Sequence, residues 1–165
     1  MLIWYEDNDL KIEFDKMPDV TMTYPAPYYG EEKNRRIDDK PFLNKRDLRV
    51  VITDRINNAS CLSTSLSADR ADRVYDFVIE QGYTWDGATI PRIFWRLIGA
   101  NTSPEFLIPS MLHDVICENH HYINNNRYLS TLILERFLYC SGVCPFKRWL
   151  MKHSVDNYQK LAGRW

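Results

Sequence analysis

One change of rhythm governs what this chain can fold into. Up to about residue 85 its apolar side chains recur at every second position, as in Leu10-Lys11-Ile12-Glu13-Phe14 and again from Val74 to Ile79. That is the period of a strand with one buried face. From Pro104 onward they recur at three- and four-residue spacings, as in Leu129, Leu132, Ile133, Phe137 and Cys140, the period of a helix with one apolar stripe. Strands come first and helices after, with neither βα alternation nor heptads. The pattern predicts an α+β chain: N-terminal antiparallel strands or hairpins followed by a three-helix C-terminal half.

Punctuation places the elements. Strands are expected from Leu10 to Phe14, Val20 to Tyr24, Leu48 to Ile56 and Val74 to Ile79. Between them, Pro25 to Lys45 holds three prolines and Gly30 without any period and reads as a long surface loop, and Cys61 to Arg70 as a serine-rich connection. Gln81-Gly82 reads as a hairpin turn into Tyr83-Thr84-Trp85, with the sheet ending at Asp86. Ile93 to Ile98 suits a helical turn or more, ended by Gly99 and Asn101. Thr102 or Ser103 can then cap a helix that starts at Pro104, with Glu105 near its positive end. That helix would carry Phe106, Pro109, Ser110, His113, Asp114 and Cys117, until the polar stretch Glu118 to Asn126 stops it. Two more follow, from about Arg127 to Ser141 and from about Pro145 to Leu161.

At 165 residues the chain is expected to form one domain, 1–165, with a strand-and-loop part over 1–73 and the remainder over 74–165. A 45% hydrophobic and 26% charged composition is that of a folding globular protein. The net charge of −1 argues against a broad electrostatic grip on nucleic acid. No apolar run approaches the roughly 18 residues of a membrane span, and the first residues lack a basic n-region and an apolar h-region. The four cysteines, Cys61, Cys117, Cys140 and Cys144, form no Cys-x-x-Cys, so they read as reduced thiols of a cytosolic protein.

Two groups of residues can carry chemistry. Asp86-Gly87-Ala88-Thr89 follows a strand and precedes Ile90-Pro91-Arg92. It is either a plain tight turn with glycine at positive φ, or a turn whose backbone and Asp86 charge meet an ion or ligand. Arg92 could anchor an anion or simply pair with Asp86. The second group, His113-Asp114, lies on the predicted helix. Adjacent helical residues are about 100° apart and so do not stack, yet they can serve one site with the histidine as base and the aspartate as ligand. The alternative is a buried, satisfied histidine beside a helix-stabilising carboxylate. His120-His121 sits in polar sequence and reads as solvated. His153 and Asp156, three apart on the last helix, can share a hydrogen bond or join His113 at a metal. Gly-x-Ser-x-Gly, a phosphate-binding glycine loop and His-Glu-x-x-His are all absent.

Taken together, Thr84-Trp85-Asp86-Gly87-Ala88-Thr89-Ile90-Pro91-Arg92, Phe94-Trp95, Ile98-Gly99 and Leu112-His113-Asp114 resemble DUF1353, a phage- and prophage-associated family of unknown function. The resemblance runs from about Val74 to Trp165, with Gly163 and Trp165 in place and Thr89 standing where the family has serine. Arg127 fits the start of the next family helix, but Ser130-Thr131 stands in the family's Ala-Asp positions, which removes a carboxylate. The pattern also distantly resembles prokaryotic phospholipases of the A-two class. That likeness implies His113 as base, Asp114 as a calcium ligand and the backbone from Asp86 to Ala88 as the rest of the cradle. Thr131 cannot polarise a histidine as a carboxylate would, although Glu135, one turn further on, is placed to reach in.

Two functions therefore stand beside each other. The first is a phage or prophage accessory protein of the host cytoplasm or virion, structural or interaction-forming, built around a buried network of Asp86, Arg92, His113 and Asp114, with other phage proteins as partners. The second is a metal-assisted hydrolase of an ester or amide, with His113 as general base and Asp86 and Asp114 near calcium or zinc. A third reading, a module that sequesters a small ligand, has only Arg92 and the turn amides of Gly87, Ala88 and Thr89 behind it.

Overall fold

The computed structural model describes residues 1–22, 42–55, 72–85 and 104–162. Within them the order is β1 (Leu2–Glu6), β2 (Leu10–Phe14), β3 (Val20–Met22), β4 (Phe42–Asn44), β5 (Leu48–Asp54), β6 (Arg73–Ile79) and β7 (Thr84–Trp85). After these come α1 (Pro104–Glu118), a 3-10 turn (His120–Ile123), α2 (Arg127–Cys140) and α3 (Pro145–Ala162). The α+β class, strands before three helices, is as the two periodicities require.

A four-stranded antiparallel sheet runs β1-β2-β5-β6. Its register sets Ile12 beside Ile52 and Ile52 beside Tyr75, and in the next row Phe14 beside Val50 and Val50 beside Phe77. Alternation then sends Leu10, Ile12, Phe14, Leu48, Val50 and Ile52 to one fully buried face. The other face carries the Lys11–Glu13 pair at 3.0 Å and the Arg49–Asp76 pair.

A second sheet of three short strands, β3-β4-β7, stands beside it, and two sequence expectations change here. The stretch read as a loop up to Lys45 ends in a strand, Phe42–Asn44, whose ends are both buried. Gln81-Gly82 is a tight turn, with Gly82 at φ +92°, but it does not close a hairpin: β6 pairs with β5, whereas β7 pairs with β4. The chain changes sheets at that turn, and Asn44 fixes the change. Its side-chain Nδ2 donates to the carbonyls of Arg46 (2.7 Å), Ile79 (3.3 Å) and Glu80 (3.0 Å), while its backbone N–H donates to Tyr83 O at 2.9 Å.

Helix α1 is buried over most of its circumference, from Phe106 through Met111, Leu112 and Ile116. It packs on α2 and on the 3-10 turn; α2 packs on β1 and α3, and the 3-10 turn packs on β6. The sheet-to-helix core is aromatic at one end, where Trp4, Phe14 and Phe137 meet at ring-centre distances of 5.4 to 6.0 Å. At the other, Phe77 stacks on Tyr122 at 4.8 Å. Asn126 caps α2 by accepting the Leu129 N–H at 3.1 Å, and Gly142, at φ +77°, ends it. Among the described residues, no helix is long and apolar enough to cross a membrane.

Candidate functional site

A helix buried on nearly every side forces its polar side chains to find partners within the protein. His113 is one of these, at 8% exposure. Its Nδ1 lies 3.6 Å from Asp114 Oδ1, so these neighbours meet through their side-chain tips although they do not stack. One turn on, Cys117 Sγ lies 3.5 Å from Nε2 and 3.7 Å from Nδ1. Burial alone would push the imidazole down, but Asp114 and Cys117 outweigh it and raise His113 from the ordinary 6.5 to about 9. The carboxylate of Asp114 and the sulfur of Cys117 thus favour the protonated form of the ring that they flank.

One turn before His113 the same helix presents Ser110, also buried. Its Oγ donates to Leu107 O at 3.0 Å and accepts the indole N–H of Trp85 at 3.1 Å. Trp85 ends β7 and is 1% exposed, with the Phe42 ring 5.5 Å away and the Tyr83 ring stacked at 6.2 Å. Tyr83 in turn donates its hydroxyl to Glu118 Oε2 at 3.0 Å. The strand that leads into Asp86 is thus fastened to α1 at two points, one of them a turn away from His113. Asp86, Gly87, Ala88, Thr89 and Arg92 themselves lie outside the described residues, so His113 and Asp114 are the predicted site residues that can be placed.

The remaining candidates go elsewhere. Glu135 does not reach His113; it faces α3 and pairs with Lys152 at 2.5 Å. Thr131 is buried and donates back to Arg127 O at 3.3 Å. Asp156 binds Arg127 and, at 2.6 Å, Lys160, which holds its carboxyl below the ordinary range. It ties α3 to α2 instead of sharing a hydrogen bond with His153, whose ring meets Trp149 edge-on at 4.6 Å. His120 and His121 are exposed, as read. A calcium or zinc ion would need several hard or imidazole ligands. Among the described residues no group of three or more His, Cys, Asp or Glu side chains is placed to hold a metal ion, and Asp114 is already against His113. These residues alone do not fit a metal site.

Two features escaped the sequence reading. Cys117 belongs to the His113 cluster, which its four-residue spacing could have signalled. A cleft of about 420 Å³ opens between the β6–β7 turn and the end of α1, lined by Ile79, Gly82, Tyr83, Val115, Asn119 and Tyr122. It joins residues too distant in sequence for any motif to reveal.

Comparison with protein families finds a match over residues 62–155 to the family described as "Protein of unknown function (DUF1353)". No curated protein and no solved structure matches the chain.

Proposed function

Because the chain belongs to the DUF1353 family, whose description assigns no activity, we propose from its own residues that it is a phage-associated accessory component with a structural or interaction role. In this reading His113 and Asp114 fix the helical layer instead of turning over a substrate. The observation that carries it is the enclosure of His113, 8% exposed, with Asp114 3.6 Å and Cys117 3.5 Å from its ring nitrogens, which favours the charged ring. A general base must be neutral to accept a proton, and a histidine near pKa 9 is neutral in only about one molecule in a hundred at pH 7. A buried imidazolium against a carboxylate is the arrangement of a structural ion pair. The phage setting comes from the motif resemblance around the Asp86 turn and His113-Asp114.

The hydrolase reading keeps one observation in its favour: Trp85, which precedes Asp86, is fastened one turn from His113. Thermal unfolding separates the two. With calcium, zinc or a chelator present, the accessory reading expects no change in the midpoint and a large loss of stability in His113→Gln. A rise with one metal, abolished in Asp114→Ala, would refute it, because an ion bound to the native state must raise the midpoint.

A further inference from the structure

The turn between α2 and α3 forms one end of the helical layer, and its composition is unlike the rest of the chain. From Arg136 to Val155 there is no aspartate or glutamate, while Arg136, Lys147, Arg148 and Lys152 supply four cations in a chain whose net charge is −1. The same end exposes three aromatic rings: Tyr139 at 58%, Phe146 at 57% and Trp149 at 55%. Phe146 and Trp149 are three apart and share a helix face. Arg148 lies over the Tyr139 ring at 4.8 Å and so ties the first turn of α3 to the last turn of α2.

We propose that this end of the α2–α3 hairpin is a peripheral docking surface for an anionic lipid bilayer. Charge complementarity selects the sign of the partner. Arg136 is matched by Asp7 at 3.4 Å and Lys152 by Glu135 at 2.5 Å, whereas among the described residues neither Lys147 nor Arg148 forms an ion pair. Lys147 and Arg148, without an ion pair among the described residues and in the same first turn of α3 as the exposed Phe146 and Trp149, suit a lipid interface, where aromatic rings settle at headgroup level and a few basic side chains meet the phosphates. A nucleic acid is a poorer fit, since its backbone is gripped by many cations along a groove. No span is involved: the surface would rest on the bilayer.

The test is co-sedimentation of the full chain with vesicles of mixed phosphatidylglycerol and phosphatidylcholine, with vesicles of phosphatidylcholine alone, and with a single-stranded oligonucleotide as a separate arm. The wild type should bind the anionic vesicles, less so as salt rises. The Phe146→Ala/Trp149→Ala variant should lose about tenfold or more in partition, and Lys147→Glu should weaken binding at low salt. Because these side chains are over half exposed or at the rim, circular dichroism should show the fold unchanged. Tyr128→Ala, which removes a 60% exposed ring at the start of α2, should bind as wild type. Absence of vesicle binding, equal binding to neutral vesicles, indifference to the double variant, or binding of the oligonucleotide instead of the vesicles would each overturn the proposal.

Discussion

Replacing His113 by glutamine removes the imidazolium but keeps a polar side chain of similar reach. The native state raises this histidine from 6.5 to about 9, so between those values folding takes up a proton. The associated stability is fully present below pH 6.5 and is lost as pH rises through 9. Two and a half decades in the proton equilibrium, at about 1.4 kcal/mol each, amount to about 3 kcal/mol, falling by roughly 1.4 kcal/mol per pH unit across the window. At 8% exposure the group is little screened by solvent. Urea unfolding of wild type and His113→Gln at pH 6, 7.5, 9 and 10 measures the effect, because titrating groups away from the His113, Asp114 and Cys117 cluster cancel in the difference. The gap between the two proteins should be widest at pH 6 and should shrink by about 3 kcal/mol by pH 10. A gap independent of pH, or an imidazole seen by NMR to titrate at or below 6.5, would refute the buried imidazolium and restore His113 as a candidate base.

Asn44→Ala should cost about 2–3 kcal/mol in chemical denaturation, since it strips a buried donor from the carbonyls of Ile79 and Glu80. Trp85→Phe removes the indole N–H to Ser110 and should cost about 1–2 kcal/mol, with the far-ultraviolet spectrum unchanged. Gly82→Ala meets no atom within 4 Å, yet at φ +92° it should still lower stability by about 1–2 kcal/mol. The Tyr5 phenol, raised by burial and by its hydrogen bond to Asp7, should ionise near 12 in a spectrophotometric titration, with an ordinary value near 10 recovered in urea.

Much of this architecture can be read from residue types because burial and period coincide. Leu10, Ile12 and Phe14 announce their strand, and Asn126, Gly142 and Pro145 mark where helices begin and end. The failures have physical causes. β1 was hidden because its register shifts between Ile3 and Tyr5, which breaks the alternation. β4 is only three residues long, too short to show a period. Gly82 correctly marked a turn, but turn chemistry does not say which strand receives the next segment. At the site, His113 and Asp114 stood out by type. The direction of Glu135 did not, because which face of α2 meets α3 is a property of the packed helices. The charge of His113 depends on burial and on Cys117, neither of which a motif contains.

The Cys140 Sγ–H donates to Trp4 O at 3.5 Å, closing a contact across 136 residues, and the same neighbourhood seats Trp4 and Phe14 against Phe137. The ribosome adds about 5–20 residues each second, so the β1–β2 hairpin leaves it on the order of ten seconds before its covering helix exists. During that interval the apolar side of a newborn hairpin has no lasting shelter. Guarding it falls to a chaperone, to the speed of translation, or to whatever transient collapse the first half of the chain can manage.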